Sequence, residues 1–310
     1  MSGAEQTTIQ QRPRPEESIV VTPCDAPLGA EIRCGDLAKV SEAGRQQIRQ
    51  AFLDHLVLVF PGQHLSEEEQ VEITNIFGTP EFSKGGPLAQ MRVVTISNQP
   101  GGALGSGELR WHSDHSFEKR PFSASLLHAL EIPPEGGDTL FSNMYLAYAT
   151  LAPALRERVR GLTIKNDIST NSAGERVLRV PETTDVRLSL GPSHPIIRTH
   201  AETGLNALYL GRRPFAYVNG LEVPESEALL DELWAHAANL AFEYRHHWKV
   251  GDLVVWDNRA AMHRRDAFDE NQRRVMHRTQ CQGDEPVHYP AADARGFHAR
   301  AADWISRSQA

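Results

Sequence analysis

The chain has 310 residues, 40% hydrophobic and 23% charged, enough to bury one large core or two small ones. Its 32 Lys and Arg against 40 Asp and Glu give a formal charge of −8, which argues against a general nucleic-acid or membrane-surface binder. Cys24, Cys34 and Cys281, with no C-x-x-C pair, argue against a disulfide framework or a thiolate zinc site and fit a reducing cytoplasm.

The N-terminal stretch "MSGAEQTTIQQRPRPEES" is polar, lacks an apolar signal core and reads as a flexible tail. From Ser41, "SEAGRQQIRQAFLDHL" has apolar residues at helical spacing and runs into "VLVFPGQ", a short buried strand stopped by Pro61-Gly62. In "SEEEQVEITNIFG", Ser66 followed by Glu69 is a capping-box signature and Gly78 a stop. "RVVTISNQ" is strand-like, and the Gly-rich loop 101–107 follows it. After "RWHSDHSF" come a strand in "SASLLHALEI" and a turn in "PPEGGDTLFS" that feeds another. Tyr145 to Arg160 looks helical, with Pro153 tolerable only near a helix start or at a kink. Residues 161–191 are polar and irregular and read as a long insertion. The later pieces "HPIIRTH", "NALYLG", "FEYRHHWKVGDLVVWDN" and "RRVMHRTQC" are short β-rich segments interrupted by one helix, "SEALLDELWAHAANL". This pattern predicts one mainly β domain, a jelly roll with flanking helices.

The run "RWHSDHSF" crowds two histidines and an aspartate into four positions, His112 to His115. A strand offers two ligands on one face at i and i+2, so His112 and Asp114 fit one half of a 2-His-1-carboxylate site, while His115 would point away. A third ligand must come from elsewhere. His263, which follows the apolar strand Leu253 to Trp256 through a turn, is the best candidate. An isolated His-x-Asp is common, and with fourteen histidines a downstream partner is cheap. His128, His246, His247 and His277 read as structural or solvent-facing. More telling is the group Arg273, Arg274 and Arg278, because a guanidinium matches a carboxylate bidentately. On a strand Arg274 and Arg278 share a face, and Arg273 reads as a solvated surface charge.

Taken together, "WHSDHSF", "PPEGGDTLF", "HPIIRTHAETGLNALYLG", "VGDLVVWDNRAAMHR" and "RRVMHR" resemble the taurine/2,4-D dioxygenase family of Fe(II)- and 2-oxoglutarate-dependent oxygenases. The resemblance implies a double-stranded β-helix (cupin-like) domain over 22–284, between a tail 1–21 and a C-terminal extension 285–310. It implies His112, Asp114 and His263 as catalytic iron ligands. Arg274 and Thr139 would bind the distal carboxylate of 2-oxoglutarate, and O₂ would be the second co-substrate. Arg278 matches a position that binds the substrate's anionic group. Where taurine-type members carry a histidine after the "FG" turn, this chain has Ser83 and Lys84, which with His115 are candidates for the substrate side. The expected substrate is a small organic anion (an aryloxyalkanoate, sulfonate or related carboxylate) hydroxylated with release of succinate and CO₂. A cytoplasmic homo-oligomer, dimer or tetramer, with no nucleic-acid or membrane partner, is expected. Loops 101–107 and 161–191 are candidate lids. Two rivals are a metal-dependent hydrolase and a non-catalytic β-sandwich that binds a small acid. A hydrolase has no use for Thr139, Arg274 and Arg278, and a binding protein would release no succinate.

Overall fold

The computed structural model describes residues 18–82 and 92–290. An eight-stranded sheet runs, edge to edge, through Val20–Pro23, Ala30–Arg33, Val57–Phe60, Leu253–Asp257, Ala124–Glu131, Val275–Gln280, Val94–Ser97 and Ala103–Leu104. A four-stranded sheet orders Glu243–His246, Thr139–Asn143, Ala261–Arg265 and Leu109–His112, all antiparallel to their neighbours. Phe141 of the smaller sheet packs on Trp256 of the larger within one buried core, so the two sheets face each other as the predicted jelly roll.

The strand Leu253–Asp257 shows why its sequence is a continuous apolar run rather than an alternating one. Val254 and Trp256 point into the core between the sheets. Leu253 and Val255 point the other way, into a second cluster with Ile48 and Phe52 of the helix Glu42–His55. With both faces covered, no position on that strand is left for a polar side chain facing water.

The helix Glu42–His55 begins where Ser41 Oγ accepts from the Gly44 amide at 3.3 Å. The helix Glu67–Thr74 carries the full capping box from Ser66 and Glu69, a device worth about 1 kcal/mol. Between Tyr145 and Arg160 the expected single helix is two, Met144–Ala149 and Pro153–Val159. Pro153 opens the second because it has no N–H to give to a preceding turn.

Three boundaries differ from the sequence reading. Val20–Pro23 is an edge strand paired with Ala30–Arg33, so Val20 and Val21, assigned to the tail, belong to the sheet. Residues assigned to a C-terminal extension begin as part of the domain: Thr199 N donates to Val287 O at 2.8 Å, and Tyr289 N to Thr199 Oγ1 at 2.8 Å. The 161–191 insertion is largely irregular, but Thr163–Lys165 is fastened between Ser193–Pro195 and Tyr217–Val218. No helix among the described residues is long and apolar enough to cross a membrane.

Several buried histidines make folding sensitive to acid. Burial holds His128, His194 and His200 below their usual pKa of 6.5, in each case outweighing the partners that favour the charged form. The unfolded chain therefore binds protons that the folded one refuses. The corresponding stability is present above the unfolded pKa, about 6.5, and is lost as pH falls below it. Urea midpoints measured at pH 7.5 and pH 5.5 should show a lower midpoint at the acidic value.

Candidate functional site

His112 ends the strand Leu109–His112, and its direct antiparallel partner on Ala261–Arg265 is His263. The two rings lie with centroids 4.2 Å apart. Asp114 is not on the strand, contrary to the i, i+2 reading. The chain leaves the sheet at Ser113, whose amide donates to Gly211 O at 3.1 Å, and Asp114 sits in the following turn. The turn nevertheless brings Asp114 Oδ1 to 3.7 Å from His112 Nε2 and 3.8 Å from His263 Nε2. One ligand atom from each of the three buried residues lies within 4.8 Å of the others.

The donor set fits a divalent transition metal. His112 Nδ1 lies 2.6 Å from Arg110 O, which can only accept, so that nitrogen carries the proton and Nε2 keeps its lone pair for the shared point. Burial first, then the neighbouring His112, pushes the His263 imidazole down to about 3, leaving it neutral at physiological pH. Burial disfavours the Asp114 carboxylate, yet His263, the contact with His112, and Arg278 together hold it well below the usual carboxylate range. Two imidazoles and one carboxylate are the facial set of a non-heme iron site.

Behind the carboxylate is a network the motif does not announce. Ser125 Oγ donates to Asp114 Oδ2 at 2.6 Å and accepts from Asn258 Nδ2 at 2.9 Å and Gln280 Nε2 at 3.0 Å. Asn258 Oδ1 accepts from Trp256 Nε1 at 2.9 Å. One carboxylate oxygen is therefore fixed by Ser125, which turns the other towards the histidines.

A small buried cavity of about 40 Å³ opens beside the cluster. His112, Asp114, Thr139, Trp256, His263, Arg265, Arg274 and Arg278 line it with aliphatic walls from Ile96, Leu104, Leu109 and Leu127. A larger open cleft of about 440 Å³, along 32–36 and 61–64, shares no lining residue with it. Arg274 just precedes the strand Val275–Gln280, and Arg278 is within it; both line the cavity, as their spacing predicts. Arg278 Nη1 is 3.9 Å from Asp114 Oδ1. Arg273 faces out to Glu131 Oε2 at 2.5 Å, the solvated charge it was read as.

Arg274 is 2% exposed, and its side-chain hydrogen bond among the described residues is a long 3.4 Å contact to Gly137 O. Gly137, at φ 70°, lies so close that a Cβ would come within 3.3 Å of Arg274 Nε, which explains a glycine in "EGGDT". Burial and the adjacent Arg265 push the Arg274 guanidinium down to about 9, with Asp138 opposing. Arg274 Nε, Arg278 Nε and Arg265 Nε are all buried without a protein acceptor. This unmet demand for an anion is the chemistry of a carboxylate-binding site. Thr139 Oγ1 accepts from Trp248 Nε1 at 3.0 Å, leaving its own hydroxyl proton available to the cavity.

Sequence reasoning missed Arg265. Its Nη2 donates to Leu104 O at 3.0 Å and to Gly107 O, and Phe268 N donates to Ser106 O at 3.1 Å. The Gly-rich loop 101–107 is thus bound over the cavity by the strand that carries His263. Part of the second candidate lid is tied in similarly: Arg212 donates to Asp167 O at 3.0 Å and to Thr170 O. His115, at φ 52°, packs against Phe117 and Phe122 and is not among the cavity-lining residues. Ser83 and Lys84 lie outside the described residues. Four further histidines lie outside the cavity lining: His128 bonds Gln63 O, His246 pairs with Asp252, His247 with Asp138, and His277 faces Glu67.

Comparison with known proteins agrees with this geometry. A family model described as "Taurine catabolism dioxygenase TauD, TfdA family" matches residues 20–280. An (S)-phenoxypropionate/alpha-ketoglutarate dioxygenase of Sphingobium herbicidovorans is 32% identical over 274 residues, 85% of this chain and 95% of that protein. An alpha-ketoglutarate-dependent 2,4-dichlorophenoxyacetate dioxygenase of Cupriavidus pinatubonensis is 32% identical over 294 residues, 87% of this chain and 100% of its own length. The crystal structure of a taurine dioxygenase from Burkholderia xenovorans superposes with a TM-score of 0.71 at 34% identity, covering 89% of this chain and 94% of that one.

Proposed function

The chain belongs to the TauD/TfdA family and is an Fe(II)- and 2-oxoglutarate-dependent dioxygenase, and from that premise we propose how its residues divide the work and which substrates it takes. His112, Asp114 and His263 hold the iron. Arg274 and Thr139 bind the distal carboxylate of 2-oxoglutarate, and Arg278 meets the anionic group of the substrate. The observation that carries the reading is one buried cavity where two imidazoles and a carboxylate converge beside three arginines with unsatisfied Nε groups.

Bound iron, with 2-oxoglutarate and O₂, supplies the oxidative decarboxylation to succinate and CO₂ and the hydroxylation of a substrate carbon. The protein's residues supply placement. Arg274 and Arg265 at one end create a positive, dry environment for a dicarboxylate, and Thr139 offers a hydroxyl to it. At the other end Arg278, beside Asp114, turns an anionic substrate so that its adjacent C–H faces the metal. Ile96, Leu104, Leu109 and Leu127 exclude water around the reacting carbon.

Aryloxyalkanoates are the favoured substrate class, since the phenoxypropionate and dichlorophenoxyacetate enzymes match over nearly their whole length. Hydroxylation of the carbon between ether oxygen and carboxylate would give a hemiacetal-type product that releases the phenol. The test is succinate formation and oxygen uptake with Fe(II) and 2-oxoglutarate against aryloxyalkanoates, alkylsulfonates and alkyl sulfate esters. Stimulation by an aryloxyalkanoate over the others is expected, and no stimulation by any anion would refute the substrate assignment. A cytoplasmic homo-oligomer, dimer or tetramer, belongs to the same proposal and is checked by fractionation and light scattering.

The Ser125 support makes a separate prediction. Ser125→Ala frees Asp114 Oδ2 from its 2.6 Å hydrogen bond without touching a ligand. Metal affinity should fall about 10- to 100-fold, the usual effect of removing a group that orients a ligand. Anaerobic Fe(II) titration reads it directly.

A further inference from the structure

From the metal cluster a column of aromatic side chains runs along the inner face of the smaller sheet, with Trp256 of the larger sheet packed against it, to the edge strand Glu243–His246. Trp256 lies 4.8 Å, centroid to centroid, from His263. Phe141 is 5.6 Å from Trp256, and Tyr244 stacks on Phe141 at 6.2 Å with an interplanar angle of 18°. Packing alone accounts for these rings as far as Phe141. It does not account for the polar end. The Tyr244 hydroxyl is 3.2 Å from His246 Nδ1, and His246 Nε2 is 3.1 Å from Asp252 Oδ2. The carboxylate fixes the proton on Nε2, so Nδ1 accepts from the phenol. The Cys24 thiol lies beside the same ring: both crowd Gly29, where a Cβ would meet Cys24 Sγ at 3.2 Å and Tyr244 Cδ1 at 3.3 Å. Cys24 is half-buried and reaches the surface.

The geometry points to a second function for this column: it drains oxidising equivalents left at the metal when turnover proceeds without substrate, and delivers them through Tyr244 to Cys24. The inference rests on the metal-centre reading above. The steps balance as follows. Trp256, having lost one electron, keeps its N–H on Asn258 and takes an electron from Tyr244, with Phe141 as the bridge between them. Tyr244 releases its phenolic proton to His246 Nδ1, and Asp252 stabilises the imidazolium. The tyrosyl radical takes a hydrogen atom from the Cys24 thiol, and a small external thiol returns one to the sulfur. His246 then passes its proton to solvent. In net terms the external thiol loses a hydrogen atom, the site gains an electron and a proton leaves. Burial raises the pKa of both Tyr244 and Cys24, so both hold the protons this sequence needs.

Two measurements test the proposal. In the first, the metal-free full chain is oxidised by flash-generated ruthenium(III) tris-bipyridine and freeze-quenched for electron paramagnetic resonance. Cys24→Ala should prolong a tyrosyl signal, and Tyr244→Phe should abolish the component so prolonged. In the second, the iron-loaded protein with 2-oxoglutarate is aerated without substrate, and oxygen insertion at Trp256 is followed by peptide mass spectrometry. Insertion should rise in Tyr244→Phe and stay at the wild-type level in Tyr217→Phe, a buried tyrosine bonded only to Leu221 O among the described side-chain contacts. A tyrosyl signal with the same lifetime in Cys24→Ala, or unchanged Trp256 oxidation in Tyr244→Phe, overturns the column. Because the first measurement needs no iron, its failure is separable from a failure of the metal assignment.

Discussion

His112→Ala should abolish stoichiometric iron binding and, with it, succinate formation, while the neighbouring His115→Ala retains both. The two residues are three apart in one short run, and their geometry separates them completely. His112 presents Nε2 to the shared point because its Nδ1–H is held by Arg110 O at 2.6 Å and its strand is paired in register with His263. Alanine leaves one imidazole and one carboxylate, too few protein donors for a facial site. The loss should exceed the about 10- to 100-fold expected from Ser125→Ala, since a ligand is removed and not merely its support. His115 packs between Phe117 and Phe122, so its truncation should lower the thermal midpoint and leave iron titration unchanged. Metal analysis, succinate assay and thermal melts on both variants decide the matter. Iron retained by folded His112→Ala would sink the ligand set.

That contrast shows how far the sequence could be read. Strand and helix positions were legible because their apolar runs and caps are local: Ser66 with Glu69 specifies a helix start wherever it occurs. The metal set was legible because its three residue types are chemically restrictive and two are nearly adjacent. Asp114 shows the limit. The i, i+2 rule reached the right residue through the wrong geometry, since tertiary bonds from Ser113 to Gly211 and from Asp114 to Asn258 turn the chain off the strand.

What stayed hidden was assembled from several distant segments. Ser125, Asn258 and Gln280 lie on or beside three neighbouring strands of the larger sheet, and no spacing rule links a serine, an asparagine and a glutamine to a carboxylate. Arg265 sits in "HRRD", to which the sequence reading gave no role; only the sheet shows it buried over the cavity with its Nη2 hydrogen bonds made to a glycine-rich loop. The clue available was the glycine content of that loop, which lets backbone carbonyls approach a guanidinium closely.

Arg274→Ala should weaken 2-oxoglutarate binding by about ten- to hundred-fold, corresponding to the roughly 1.5–3 kcal/mol of a charge-assisted hydrogen bond. The protein should tolerate the loss of the side chain. Arg274 is buried with no carboxylate of the chain in ion-pair contact among the described residues, and Arg265 is close enough to repel it. Removing it relieves an unpaired buried charge and so should not unfold the domain, although the vacated volume will cost some packing. The guanidinium is held against Trp248 and Phe268, with ring centroids 5.8 and 5.9 Å from its central carbon, so it meets its ligand already oriented. Arg274→Lys keeps the charge but not the planar fork and should fall between wild type and alanine. Isothermal titration of 2-oxoglutarate into the Mn(II)-loaded protein measures the constant without turnover, and succinate also tests the distinction, since it carries two carboxylates but no ketone. If Arg274 reads the distal carboxylate, the alanine variant loses affinity for succinate and 2-oxoglutarate by similar factors. An unchanged 2-oxoglutarate constant in a folded Arg274→Ala would remove this arginine from the co-substrate site and leave Arg265 as the group to test next.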